Sequence, residues 1–175
     1  MIEVVVSRLG LDSTTQSYVI VLQEKGGNRL LPIWIGQPEA ESIVMQMHNI
    51  KRARPLTHDL CKSLIIGMGG ALRRVQITRV EKNTYFAELH ISRGDSLVQV
   101  DARPSDSIAI ALRLSAPIFA AESLLTAVEA DDEESASETS FPDAAPPDES
   151  GELSPEQLKE YLEHLRPEDF GKFNL

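Results

Sequence analysis

Two groups of short apolar runs, each interrupted by turn residues, most constrain what this chain can fold into. The first group is residues 2–12, 17–25 and 29–35, and the second is residues 71–81, 84–92 and 96–103. Turn residues separate the runs, with Gly26-Gly27-Asn28 in the first group and Asn83 and Gly94-Asp95 in the second. β-Branched residues and alternation between such turns predict two antiparallel meanders of three strands each.

Pro32 falls inside the third run of the first meander. Proline has no backbone N–H to donate to a strand ladder, so we expect an edge position or a bulge there. Residues 117–125 predict a short final strand or edge segment.

Helical spacing predicts three helices between and after the meanders. The first begins at Pro38 and places Ala40, Ile43, Val44 and Met47 on one face. The second follows Thr57, which is predicted to be its N-cap, and stops at the glycines of residues 67–70. The third covers residues 104–115 and is apolar on nearly all sides, so we expect it to be buried. Together these elements predict one α+β domain over residues 1–125.

The composition changes after Leu125. Residues 1–125 carry 14 basic and 12 acidic side chains, a net charge of +2, whereas residues 126–175 carry 3 basic and 15 acidic side chains, a net charge of −12. Residues 126–153 have too few large apolar side chains to offset the entropy of ordering, which predicts a disordered acidic linker. The acidic balance therefore belongs to the tail, and it does not exclude nucleic acid as a partner of the N-terminal domain.

Residues 154–175 predict a short C-terminal helix and tail. Leu158, Tyr161, Leu162 and Leu165 form one apolar stripe. A helix this short is marginal alone in water, so we expect it to dock on this chain, on a second copy or on a protein partner.

Cysteine content and the absence of apolar segments predict a cytoplasmic protein. Cys61 is the one cysteine, which excludes an internal disulfide. The N-terminus has no signal-peptide pattern, and no window approaches the length of a membrane span.

The same three residues, Ala-Arg-Pro, precede two of the predicted helices, at positions 53–55 and 102–104. Helix capping explains the hydroxyls and acids that follow each of them. It does not explain Arg54 and Arg103, because a cation beside a helix N-terminus needs an anion. That anion is either a neighbouring carboxylate of this chain or an external phosphate, and the sequence leaves both open.

Acidic residues near the helix starts also suggest a divalent-metal site. Carboxylate oxygens are the ligands that Mg²⁺ prefers, and Asp101 and Asp106 flank one strand-to-helix turn where they could converge. His58 lies beside Asp59 at a helix start, where it could act as a general base, bind a metal or be satisfied by solvent.

Three separated blocks, LPIWIGQPEAESI, ARPLTHDL and DARPSDSIAIALR, resemble those of the bifunctional nuclease domain family. The resemblance covers roughly residues 1–125, and the C-terminal RPEDFGKF is similar to the ending of many bacterial members. It implies an α+β fold, a homodimer or larger oligomer, and nuclease activity on RNA and DNA. The positions that match the family are Trp34, Gly36, Glu39, Ala40, Pro55, Thr57, His58, Asp59, Asp101, Arg103, Pro104, Ser105, Asp106 and Ala109.

We therefore expect a phosphodiesterase that acts on nucleic acid. The expected ligands of one or two Mg²⁺ or Mn²⁺ ions are Glu39, Asp59, Asp101 and Asp106. His58, Asp59, Asp101 and Asp106 are the expected catalytic residues, and Arg54, Thr57, Arg103 and Ser105 the expected substrate-binding residues.

Two alternatives remain open at this point. The same residues could form an ion-pair and capping network in a non-catalytic oligomeric scaffold or regulatory module. The acidic tail could also imitate nucleic acid and cover the site.

Overall fold

The computed structural model describes residues 1–12 and 17–127 and confirms the α+β class. The predicted acidic linker and C-terminal helix lie outside these residues, apart from Thr126 and Ala127. The domain boundary predicted at Leu125 stays a prediction. Within the described residues, Thr126 still pairs with Leu30.

Seven strands and three α-helices make up the described part of the chain. In chain order they are β1 (Ile2–Asp12), β2 (Ser17–Glu24), β3 (Leu30–Ile35), α1 (Gln37–Met47), α2 (Thr57–Gly67), β4 (Gly70–Glu81), β5 (Thr84–Arg93), β6 (Ser96–Ala102), α3 (Pro104–Leu114) and β7 (Ile118–Ala120). A single 3₁₀ turn, Glu122–Leu124, follows β7. Both predicted meanders and all three predicted helices are present.

The short strand β7 joins the two meanders into one sheet. The strand order is β3-β2-β1-β7-β4-β5-β6, with β7 antiparallel to β1 and parallel to β4. The short final strand predicted within residues 117–125 is confirmed, but it lies inside the sheet and not at an edge. Ile118 and Ala120 are buried because strands flank β7 on both sides.

The edge position expected for Pro32 is confirmed. Strand β3 is the last strand on one side of the sheet, and Pro32 lies opposite Val21 of the neighbouring strand, β2. The missing N–H of Pro32 therefore interrupts no interior ladder of the sheet.

Helix α3 is the centre of the helical layer. It packs against β4 and β5 and also contacts both α1 and α2. Ile108, Ala109 and Ala111 are fully buried, which confirms the burial predicted for this helix.

The buried face of α1 differs from the predicted one. Ala40 and Ile43 are buried as expected, but Met47 is exposed and Ser42 and Met45 are buried instead. The apolar spacing missed Ser42 because the polar interior between the helices, described below, cannot be seen from hydrophobic periodicity.

No helix in the described ranges combines the length and the apolar composition needed to cross a bilayer.

The central position of α3 leads to a stability prediction. Replacing Ile108, which is fully buried, with alanine should lower the free energy of unfolding by roughly 2–5 kcal/mol through lost burial and a cavity. The matched control is Ile66→Ala on α2, whose side chain is 54% exposed, and this change should cost less than about 0.5 kcal/mol. Urea denaturation followed by circular dichroism measures both, and equal losses would contradict the packing described.

Candidate functional site

Polar side chains from all three helices meet around His58. Its Nε2 lies 3.1 Å from Asp106 Oδ1 of α3, and its Nδ1 lies 2.7 Å from the Ser42 hydroxyl of α1. With Glu39 and Arg103, described next, these residues form what we call the His58 cluster. Exposure rises outward through this group. Ser42 is buried, the His58 side chain is 13% exposed and that of Asp106 is 29% exposed.

Arg103 closes the outer side of the cluster. Its Nε and Nη2 donate to the two oxygens of Asp106 at 2.8 and 3.1 Å, and Nη2 also lies 2.8 Å from Glu39 Oε1. The Arg103 side chain is nonetheless 66% exposed, and Nη1 takes no part in the contacts of the described residues. The anion that Arg103 needs is thus supplied internally, while one side of the guanidinium faces solvent.

The charge of Asp106 determines which hydrogen bonds His58 makes. Burial acts to raise the pKa of Asp106, but hydrogen bonds from Arg103 and His58 outweigh it, so the pKa is lower than the ordinary value. An ionised carboxylate only accepts hydrogen bonds, so His58 Nε2 must carry a proton. In neutral His58, Nδ1 then accepts a hydrogen bond from the Ser42 hydroxyl.

Gly36 makes room for Glu39 at the start of α1. A β-carbon at position 36 would overlap with Glu39 Oε2, so a larger residue would displace the carboxylate. Because Glu39 Oε1 is the atom that pairs with Arg103, Gly36 helps to hold the outer side of the His58 cluster in place.

A second, buried arginine connects the same helices beneath the cluster. Arg113 of α3, whose side chain is 4% exposed, donates from Nε to Asp59 Oδ1 at 2.6 Å. It also donates to the backbone oxygens of Ala109 and Ser42 at 3.0 and 3.2 Å. The other Asp59 oxygen accepts the Leu56 N–H at 2.9 Å. Both carboxylate oxygens of Asp59 therefore have partners within the protein.

The capping expectations need correction. The N-cap of α2 is Leu56, not Thr57, which occupies the first helical position. The helix start is capped instead by Asp59, whose Oδ2 accepts a hydrogen bond from the Leu56 N–H. Arg103 is the N-cap of α3, and neither helix has a hydrogen bond from an N-cap side chain. Ser105 is buried in the first turn of α3.

The expected site residues are only partly brought together. Glu39, His58, Arg103 and Asp106 meet in the cluster, whereas Arg54 and Thr57 are exposed at the approach to α2. Asp101 is exposed on β6, opposite Glu88. Its neighbour Ala102 packs against the core, so alternation along the strand directs Asp101 to the other face of the sheet. The convergence of Asp101 with Asp106 is thus not found.

The carboxylates that do meet are poorly suited to seat a metal ion on their own. Within residues 1–12 and 17–127, no group of three or more His, Cys, Asp or Glu side chains is arranged to hold one. Arg103 bridges Glu39 and Asp106, and Arg113 binds Asp59. Each carboxylate therefore already has a cationic partner.

Two residues that contact the site, Ser42 and Arg113, were not predicted from the sequence. Ser42 gave no signal, because a single serine in an amphipathic helix is ordinary. Arg113 did give one, since it is a charge within the otherwise apolar run of α3, and a charge that is buried needs a partner.

The buried pair predicts a large stability effect. Asp59→Ala should lower the free energy of unfolding by roughly 2–4 kcal/mol, because it leaves Arg113 buried without its partner while water replaces part of the contact. The control is Glu81→Ala, which removes an exposed pair with Arg79 and should cost less than about 1 kcal/mol. Equal losses in urea denaturation would show that the pair is not structural.

The pKa shifts predict how acid destabilises the fold. The pKa values of Asp59 and Asp106 are both lowered from the ordinary 3.8; burial opposes the shift in each, and hydrogen bonds to arginine favour it. Their contribution to stability is therefore complete above pH 3.8 and is lost as the pH falls through the lower folded-state values.

Unfolding measured against pH tests this expectation. Asp59→Asn and Asp106→Asn should each flatten the loss of stability below pH 3.8, whereas Asp95→Asn, in the exposed turn after β5, should leave it unchanged. An acid transition that is the same in all three variants would contradict the assignment.

Comparisons with known proteins support the family that the three sequence blocks resemble. The model of the bifunctional nuclease domain matches residues 20–133. Uncharacterized protein Rv1829 of Mycobacterium tuberculosis is 37% identical over 173 residues, which are 96% of this chain and 97% of that protein. Bifunctional nuclease 2 of Arabidopsis thaliana is 36% identical over 105 residues, 58% of this chain and 32% of that protein. Bifunctional nuclease 1 of the same plant is 33% identical over 57% of this chain and 32% of its own length.

Proposed function

Because the chain belongs to the bifunctional nuclease domain family, we propose that it hydrolyses phosphodiester bonds of RNA or DNA at the His58 cluster. The observation that carries the proposal is the cluster itself. It combines a solvent-facing guanidinium with a carboxylate–imidazole–hydroxyl chain, in a protein whose plant relatives are named bifunctional nucleases.

Arg103 and Arg54 are the proposed phosphate-binding residues. The Arg103 side chain is 66% exposed, and Arg54 is exposed just before α2. The two carboxylates of the cluster outnumber Arg103 by one charge, so the cluster alone would repel a phosphate. Lys51, Arg52 and Arg54, all in the loop before α2, bring the balance to +2. This positive charge favours binding of the phosphate backbone of nucleic acid, and it stabilises the negative charge that develops on the phosphate during cleavage.

His58 is the proposed proton-transfer residue. Asp106 holds Nε2–H, so a proton that His58 takes up enters at Nδ1, on the side of the Ser42 hydroxyl. Ser42 can donate to neutral Nδ1 and accept from the protonated ring, because a hydroxyl is both donor and acceptor. We therefore give Ser42 a positioning role, and we give Asp59 a structural one.

Dependence on Mg²⁺ or Mn²⁺ stays a prediction. Glu39, Asp59 and Asp106 are each paired with an arginine, so no step of the proposed chemistry is assigned to a metal. Mg²⁺ often binds through one or two carboxylates together with substrate phosphates. Cleavage measured with EDTA, and then with Mg²⁺ or Mn²⁺ added back, tests this prediction.

One observation favours the non-catalytic scaffold. Arg103 makes a two-pronged pair with Asp106 and also reaches Glu39, which satisfies its charge without any ligand. In that case the cluster only joins the three helices, and nucleic acid is not cleaved. The two hypotheses differ in whether the protein cleaves nucleic acid and whether the His58 cluster is needed for that cleavage.

The decisive assay measures cleavage of labelled single-stranded RNA and DNA by two matched variants. Asp106→Asn should reduce the rate at least about a hundredfold, because it weakens the orientation of a proton-transfer residue. Asp101→Asn makes the same chemical change on the other face of the sheet and should alter the rate less than about threefold. Ser42→Ala should reduce the rate and shift its pH profile, because it removes the partner of His58 Nδ1.

Three results would separate the hypotheses. Loss of activity in Asp101→Asn but not in Asp106→Asn would place the chemistry on the other face of the sheet and remove the site proposed here. Activity retained in both variants would place the chemistry elsewhere. A pure wild-type protein with no activity under any metal condition would favour the scaffold.

The cytoplasmic location, the homodimer and the partner of the C-terminal helix also stay predictions. Masking of the site by the acidic tail predicts tighter binding of nucleic acid when the acids of residues 131–134 are replaced by amides. Unchanged binding would count against it.

A further inference from the structure

Trp34 is the single tryptophan of the chain, and it is 41% exposed near the end of β3. Its neighbours on the strand, Ile33 and Ile35, pack into the core beneath the helices. Alternation along β3 therefore directs Trp34 to the face of the sheet away from α1, α2 and α3. Neither the core nor the cleavage chemistry proposed above uses this side chain.

The indole of Trp34 lies flat across the neighbouring strand. Its Nε1 donates a hydrogen bond to Asp12 Oδ2 at 3.1 Å. Asp12 ends β1, Trp34 belongs to β3, and β2 lies between these two strands. To reach Asp12, the ring must extend over β2 beside Val19, which is the cross-strand partner of Trp34 and is 2% exposed. One face of the indole therefore lies on the sheet, and the other faces solvent.

The hydrogen bond to Asp12 also holds the ring in one orientation. Asp12 is only 9% exposed, so water competes weakly for its carboxylate. A side chain that is ordered before binding loses little rotamer entropy when a ligand arrives. Trp34 thus presents a rigid, flat aromatic surface whose area is close to that of a nucleobase.

This orientation favours a flat partner over a protein pocket. A tryptophan that anchors a protein interface usually fills a pocket of the partner. The indole of Trp34 instead rests on its own sheet and offers one ring face. Stacking on aromatic faces is how many proteins bind the bases of single-stranded nucleic acid.

Trp34 lies at the same end of the sheet as the His58 cluster. Gly36, which makes room for Glu39, follows two residues later, and two extended residues span at most about 7 Å. Glu39 pairs in turn with Arg103 at 2.8 Å. The indole and the cluster lie on opposite sides of the turn from β3 to α1, so a strand held at the cluster reaches the indole by passing over this turn.

We propose that Trp34 stacks on an unpaired base of the nucleic acid whose backbone is held at the His58 cluster, and that it selects single-stranded over double-stranded substrates. The position of the backbone rests on the function proposed above. Every base has an aromatic face, so this contact accepts any sequence. The bases of a duplex are already paired and stacked on one another, so they cannot make it.

Fluorescence of the single tryptophan tests the stacking directly. The full chain is titrated with three probes of equal length: a single strand of thymidines, an abasic strand with the same phosphates, and the thymidine strand annealed to its complement. The thymidine strand should quench Trp34, whereas the abasic strand and the duplex should not. Anisotropy of labelled probes measures the affinity of each one separately.

Variants separate stacking from a structural role of Trp34. Trp34→Ala should weaken binding of the thymidine strand roughly five- to hundredfold and leave binding of the abasic strand unchanged. Trp34→Phe keeps an aromatic ring without the bond to Asp12 and should weaken binding less. The matched control is Val5→Ala on the same face of β1, where Val5 is 45% exposed, and it should bind like the wild type. Circular dichroism verifies that each variant is folded.

The kinetics of cleavage give an independent measurement. Trp34→Ala should raise KM for the single strand and change kcat little, because the base contact is the same in the bound substrate and in the transition state. A loss in kcat alone would contradict a base-binding role.

The stacking and the hydrolysis can fail separately. Quenching by the thymidine strand in a chain that cleaves nothing supports the stacking and removes the hydrolysis. Cleavage that needs the His58 cluster, without quenching, supports the hydrolysis and removes the stacking. Equal quenching by the abasic strand, or fluorescence that changes with protein concentration alone, means that Trp34 responds to phosphate or to a protein contact and overturns the stacking. A chain that binds none of the probes overturns both.

Discussion

The ion pair between buried Arg113 and Asp59 is the contact on which the helical layer depends. Arg113 binds the Asp59 carboxylate of α2 and the backbone oxygen of Ser42 in α1. These contacts also place the site above them, because His58 adjoins Asp59 and the Ser42 side chain bonds to His58. Arg113 therefore fixes the same helical turns of α1 and α2 that carry the Ser42 hydroxyl and the His58 imidazole, and it brings these two groups together.

The two arginines of α3 have different physical roles because they differ in exposure. Arg113 is almost fully buried, so removing its partner leaves an uncompensated charge away from water. Arg103 is mostly exposed, and water and salt weaken its pairs with Asp106 and Glu39. An incoming phosphate could compete for Arg103 at modest cost but could not reach Arg113. This difference is why we assign structure to Asp59 and substrate contact to Arg103.

Much of the fold was predictable from local sequence. Alternation of apolar and polar residues between turns predicted both meanders. Pro32 predicted the edge strand, and the apolar run of residues 104–115 predicted the buried helix. The central position of β7 was not predictable, because three residues carry no information about which strands they will join. The position of Asp101 was also mispredicted, because its closeness to Asp106 in sequence suggested that the two carboxylates meet. Alternation along β6 instead directs Asp101 to the other face of the sheet. Ser42 was missed because its partner, His58, comes from another helix.

We propose that nucleic acid binds and is cleaved at the His58 cluster, and ring-nitrogen NMR of His58 tests this proposal most directly. We expect a proton on Nε2 of the ring, because the Asp106 carboxylate accepts its hydrogen bond, and a change in both ring-nitrogen signals when a short single-stranded oligonucleotide is added. Ser42→Ala should shift the Nδ1 signal of the free protein. A ring protonated at Nδ1 alone, or ring signals that do not change while the oligonucleotide binds, would contradict the account.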